Sequence, residues 1–432
     1  MKLIYCLFPV SIFFLIGCAQ SIQTDRAYQE LGRSEHFKLV ENGYIIGLEK
    51  KSIKTNKVLL PGLPIAKGYS KRFQQLNENV DNAKKLNSEY RSKTEGQQKV
   101  MLATQMTSNF PHIEFLYNAY GNRLSGEFNY EKSFAELDLL FNDLTERLNN
   151  TNAYSHIIIM SMGWNNDQLE SVYRYNKILK NIKEASKPAN NAEFKPLVIA
   201  LTWPSVWYSL SDSWLKRKLG HLLSYPNKSD DADEIGYTWA NWIINKKLPE
   251  SIEIAKAKGL IKENTPKVVV IGHSFGARVL SRALFSSEHL KFGAKEGVVD
   301  VFIGLQGAFS IKRFLPGEGL EGSPYSNFKK LDTKIILTSS LKDSSNSSAA
   351  FLTRAHNVGG KYGLKAAVKY KDIFDNKVWN KNIGKVPLPI DKVLMLDASS
   401  IVVGDEEGGK KYSPHNDILD QDMGELIWNF IN

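Results

Sequence analysis

The chain has 432 residues, 42% of them hydrophobic and 24% charged, with a formal net charge of +10 at pH 7. This is ordinary globular composition, long enough for one large core or two modest ones. Its lysines are spread over polar faces and loops, as in KNIKEASK, without a concentrated basic helix or a recognition motif, so nucleic-acid binding is not expected; the charge reads as a solvated surface that can meet anionic lipid.

The first element is apolar. In MKLIYCLFPVSIFFLIGCAQ, Lys2 supplies a positive start, and Leu3 to Ile16 is a hydrophobic run broken only by Pro9 and Ser11. At about 14 residues it is short for a bilayer span and suits a secretory signal. It ends in Leu15-Ile16-Gly17-Cys18, which resembles a bacterial lipobox. That resemblance implies a signal peptide over 1–17, lipidation of Cys18, and a membrane anchor in the bacterial cell envelope. Ala19 after the cysteine favours the outer membrane in a Gram-negative host. The only other cysteine is Cys6, inside the signal, so a disulfide, a cysteine nucleophile and a cysteine-based zinc site are all excluded from the mature chain.

Residues 18–110 read as a polar, lysine-rich extension with VLLPGLPIA as its main apolar patch. From 111 to 432 the pattern changes. Short β-rich runs, HIEFLYNAYG (112–121), HIIIMSMGW (156–164), PLVIALTW (196–203), KVVVIGHS (267–274), VDVFIGLQG (299–307), KIILTSS (334–340) and DKVLMLDAS (391–399), alternate with helical stretches such as FAELDLLFNDLTERLNN. Near-continuous Val, Ile and Leu predicts strands covered on both faces. Strand–helix alternation of this kind predicts an α/β domain, a doubly wound, mostly parallel sheet flanked by helices.

One turn in that pattern carries chemistry. Gly272-His273-Ser274-Phe275-Gly276 follows VVVI and precedes ARVLSRALF. A sharp strand-to-helix turn forces its serine into an unfavourable conformation, and the neighbours at ±2 must be small. Ser274 would then project at the top of the sheet above a helix N-terminus, where negative charge is stabilised.

Taken in order, SMGWNND, LTWPS, VVVIGHSFGAR, TSSLKD and SPHND resemble the α/β-hydrolase superfamily. More narrowly they are similar to a group of poorly characterised bacterial serine hydrolases carrying HGWNND, Trp-Pro-Ser, GHSxG and a late HSD or HND. The resemblance covers about 112–432 and implies the α/β-hydrolase fold. It also implies a Ser274–Asp343–His415 triad, with the backbone N–H groups of Phe275 and Trp164 as oxyanion donors, and no metal or cofactor. Asp343 follows the strand two beyond the serine; Asp397, ending DKVLMLD, is the rival acid. His415 lies between the last strand and the C-terminal amphipathic helix; His356, about 13 residues past the acid, is the rival base. His273 reads as a packing or turn residue. The family usually places histidine where Met162 stands, a residue that orders the oxyanion loop. The aromatic stretch over 204–235 is the candidate cap. The expected function is a membrane-anchored hydrolase of small-molecule or lipid esters or thioesters; the alternative is an inactive envelope lipoprotein that binds or supports.

Overall fold

The computed structural model describes residues 39–47, 130–148, 154–166, 168–187, 194–203, 205, 225, 228–229, 231–233, 235–259, 265–287, 298–316, 325–346, 356–381, 391–404, 406–407, 410–411 and 413–432. The expected signal peptide, Cys18, the strand expected at 112–121 and most of the candidate cap lie outside the described residues.

Six of the expected runs are strands: β2 (His156–Ser161), β3 (Pro196–Thr202), β4 (Lys267–His273), β5 (Val301–Leu305), β6 (Lys334–Ser339) and β8 (Val393–Asp397). Two more were not expected, β1 (Gly43–Gly47) and β7 (Phe374–Val378). All eight form one sheet in the order β1-β3-β2-β4-β5-β6-β8-β7, and every neighbouring pair is parallel. The 18–110 segment is thus not wholly an extension outside the domain. Its residues 43–47 are a fully buried edge strand that pairs with β3 from Gly43↔Val198 to Gly47↔Thr202. A parallel strand draws its bonds from a distant partner, so five residues, GYIIG, inside a polar stretch carry little local signal.

Within each run, successive side chains enter different layers. Val268 and Val270 join one core cluster, Val269 and Ile271 the other. The first layer is covered by α1 (Tyr130–Arg147), α3 (Leu248–Ala257), α4 (Phe275–Leu284) and α5 (Lys361–Lys369). The second is covered by α2 (Gln168–Ser186) and α6 (Gln421–Ile431), which pack on each other. Each fully buried aliphatic side chain contributes about 1.5–3 kcal/mol, so the two layers, not local propensity, hold this sheet. The chain leaves β2 for β3 on one side and then crosses to β4 on the other. The helices that follow β2 and β4, α2 and α4, therefore cover opposite faces of the sheet, and such a switch point is where open α/β sheets form a crevice.

Candidate active site

Ser274 stands at that switch point. Its backbone lies at φ 55°, ψ −119°, a conformation that costs an L residue on the order of 1–3 kcal/mol. Ties on both sides impose it: Ser274 N–H donates to Leu305 O at 3.0 Å, and Ser274 O accepts from Ala308 N at 3.0 Å. The flanking glycines are steric necessities. A Cβ on Gly272 would stand 2.5 Å from Ala277 Cα, and one on Gly276 would stand 2.0 Å from Ser161 O. Helix α4 can press this closely on β2 and β4 only because both positions lack a side chain.

A serine preceding a helix usually caps it, which stabilises the helix by about 1 kcal/mol. Ser274 occupies that position and makes no side-chain cap. The strained turn points the hydroxyl elsewhere, over the first turn of α4, whose leading N–H groups have no intrahelical acceptor. Phe275 N–H is the first of them. The helix is anchored beneath by Asp233, whose buried carboxylate accepts from Arg278 and Arg282 and takes a two-pronged grip from Arg313 at 2.8 Å. Burial works to raise its pKa, and the three guanidiniums outweigh that, holding the carboxyl well below its usual range.

The loop after β2 passes directly over the serine. A Cβ on Gly163 would lie 2.6 Å from Ser274 Cβ and 3.1 Å from its Oγ. Met162 is core here, with its N–H donating to Tyr175 Oη and its carbonyl accepting from Trp203 Nε1 at 2.9 Å. Ser205 accepts from the N–H groups of Asn165 and Asn166. The Asn166 amide, in turn, holds the carbonyls of Gly163 and Trp164 at 3.0 and 3.1 Å. Across a planar trans peptide, a Gly163 carbonyl turned to Asn166 turns the Trp164 N–H the opposite way. Tyr175, Trp203, Ser205 and Asn166 thus order this loop around a buried Met162. The LTWPS stretch was legible as a motif; its task, tying down the neighbouring loop, was not.

Asp343 and His415 meet. Asp343 is buried in the turn after β6, and its Oδ2 lies 2.8 Å from His415 Nδ1. Asn346, unremarked in the sequence, donates its backbone N–H to Asp343 Oδ1 at 3.1 Å and its amide to Oδ2 at 2.9 Å. Burial works to raise the Asp343 pKa; the His415 charge and hydrogen bond, with those from Asn346, prevail and keep the carboxyl below its usual value. The two rivals are engaged elsewhere. Asp397 Oδ1 accepts from Ser399 N–H and hydroxyl, closing its own turn, and the His356 ring stacks on Tyr362 at 4.8 Å.

His415 sits in the 3-10 turn Pro414–Leu419. His273 Nε2 donates to His415 O at 2.9 Å, and the two rings lie 4.7 Å apart. Asp417 Oδ2 accepts from the N–H groups of Val403 and Gly404, and Arg174 donates to Asn416, so the turn is held from three sides. Among the described residues no hydrogen bond joins Ser274 Oγ to the His415 ring. With Nδ1 given to Asp343, Nε2 is the ring atom left for a proton. No group of His, Cys, Asp and Glu that could hold a metal ion occurs among the described residues.

His273 and His156 make stability depend on pH. Burial lowers the His273 pKa well below its ordinary 6.5, with His415 and Arg174 adding to the effect. It also lowers that of His156, held between Ser155 Oγ and Ile431 O. A histidine whose folded pKa is depressed gives its full contribution above the unfolded value; below it the unfolded chain takes up the proton and stability falls. Urea unfolding should therefore show stability constant near pH 7.5 and falling below pH 6.5, by up to about 1.4 kcal/mol per pH unit for each ring. His273→Gln should remove one proton's worth of that slope. A flat profile between pH 7.5 and 5.5 would mean that the rings take up protons in the folded protein as readily as in the unfolded chain.

Compared with known proteins, the chain matches no family model, no curated protein and no solved structure.

Proposed function

We propose that this chain is a serine hydrolase of the α/β-hydrolase type, cleaving carboxylic esters or thioesters through an acyl-enzyme, and tethered to the bacterial envelope by a lipid on Cys18. One observation carries the reading. A serine held at positive φ at a helix N-terminus shares a sheet edge with a buried Asp343 bonded to a half-buried His415.

In the reaction, Ser274 Oγ attacks the substrate carbonyl while His415 Nε2 takes its proton. Asp343 holds the imidazolium through Nδ1–H. Negative charge gathering on the carbonyl oxygen is met by the N–H groups of Phe275 and Trp164. His415 then returns the proton to the leaving alcohol or thiol, and water repeats the sequence on the acyl-serine. Nucleophile and base often stand apart before substrate arrives, so the absent serine–histidine hydrogen bond is compatible with this cycle. It is also the observation that favours the alternative, an inactive lipoprotein that kept the fold as a binding or structural module. Against that stands the cost of Asp343: a buried carboxylate needs its partners, and a scaffold gains nothing from one aimed at a partly exposed imidazole.

The full-length protein in detergent should turn over short p-nitrophenyl esters. A fluorophosphonate probe should label it once, on the peptide containing residues 267–282. Neither turnover nor label would leave the binding module standing.

A further inference from the structure

We infer that Tyr225 is a positioning residue for this chemistry, linked through Asn357 and Asn346 to the acid of the triad. The inference rests on the hydrolase reading above and goes beyond it, because it ties the segment leading into 235–257 to the site. Asn357 is buried, and its single amide nitrogen donates twice: to Asn346 Oδ1 at 3.1 Å and to Tyr225 Oη at 3.3 Å. Asn346 grips both oxygens of Asp343 and donates a further bond to Gln306 O at 3.1 Å. The other end of the relay is aromatic. The Tyr225 ring lies 4.7 Å from that of Phe275 and meets that of Trp164 edge-on at 5.3 Å, 89°. Those are the two residues whose N–H groups are assigned to the oxyanion.

The relay is a rigid spacer. Asn357 is fixed by its bridge to Ser310, and the next residues bond to the loop after β5, Val358 N–H to Phe309 O and Gly359 N–H to Gly307 O, both at 2.9 Å. Gly359 passes so close that a Cβ there would stand 2.5 Å from the Asn346 amide nitrogen. Asp343, Asn346, Asn357 and Tyr225 are all buried, so each polar group depends on its neighbour rather than on water. Moving Tyr225 therefore moves the seat of Phe275 and Trp164 relative to the carboxylate that orients the base. A tyrosine with a merely structural role would be replaced by phenylalanine without consequence for kcat.

The test uses the full-length protein, with active sites counted by the p-nitrophenol burst, so that kcat is per competent molecule. Tyr225→Phe keeps the ring and loses the acceptor; Asn357→Leu loses the donor. Each should lower kcat about tenfold with KM within about twofold, less than the roughly 10²–10³-fold that loss of a whole oxyanion donor costs. The double variant should be no worse than Asn357→Leu alone, since that change already removes the bond that Tyr225→Phe removes. Inhibition by a trifluoromethyl ketone, whose tetrahedral adduct needs the oxyanion donors, should weaken in step with kcat/KM. Tyr225→Leu, which removes the ring contacts too, should fall further. Wild-type kcat per titrated site in Tyr225→Phe and Asn357→Leu, even with lowered melting temperatures, would overturn the positioning role and leave the hydrolase reading intact. An inactive wild type would overturn both.

Discussion

Replacing Ser274 with alanine is expected to lower kcat for ester hydrolysis by about 10⁶-fold and to abolish fluorophosphonate labelling. Its Oγ stands under Gly163, ahead of the first turn of α4, at the point where the sheet's winding reverses. The oxyanion donors and the substrate's binding contacts survive the change, so a residual acceleration of about 10³–10⁴ over water should persist. Stability should barely move, because the hydroxyl caps nothing and alanine keeps the Cβ already accommodated there. Thermal melting beside active-site titration separates the two effects. Should the alanine variant take the label as well as the wild type, another nucleophile is at work and the site assignment fails.

The elbow was the most legible part of this molecule because everything it needs is local. VVVI specifies a strand buried on both faces, and the two glycines leave room where backbone meets backbone, against Ala277 and Ser161 O. The pairing of the proposed acid with the proposed base was legible less directly. Asp343 follows β6 and Asp397 ends β8, and those strands are neighbours, with Ser339 paired to Asp397, so sequence order places both at one edge. The deciding fact is a turn: Ser399 takes up the Asp397 carboxylate, whereas Asp343 turns inward to His415. Strand β1 was hidden because its pairing partner lies about 155 residues on, from Gly43 to Val198. Strand β7 was hidden for another reason. FDNKV carries polar types that are rare in strands, tolerated here because it lies at the outer edge of the sheet beside β8. Asn346 and Asn357 had no sequence signal, and Tyr225 was visible only as one aromatic of the candidate cap over 204–235. Two asparagines and a tyrosine spread over more than a hundred positions acquire meaning only when folding removes them from water together.

Asp343→Asn should be the more informative substitution, lowering kcat by about 10³–10⁴-fold with the nucleophile still in place. The carboxylate has no spare oxygen. Oδ1 accepts from Asn346 N–H, and Oδ2 accepts from the Asn346 amide while facing His415 Nδ1. An amide nitrogen at the Oδ2 position would donate toward Nδ1, moving the imidazole proton to Nε2 and leaving no lone pair for the serine proton. It would also confront the Asn346 amide, donor against donor. Turned over, the new amide confronts the Asn346 backbone N–H instead, and the imidazolium formed during reaction loses its counter-charge. Either orientation strands a buried donor, at about 1–3 kcal/mol of stability. The acid limb of stability should change as well. A carboxyl with a depressed folded pKa contributes above its unfolded value of 3.8 and loses that contribution as pH falls through the folded one; the amide cannot titrate, so this part of acid unfolding should vanish. Asp397→Asn, which breaks only a turn held by Ser399, is the matched control and should retain most of the wild-type kcat. If the two variants traded places, with Asp397→Asn crippled and Asp343→Asn active, the imidazole at 415 would have to turn toward the other carboxylate during the reaction, and its observed bond to Asp343 would describe only the resting enzyme.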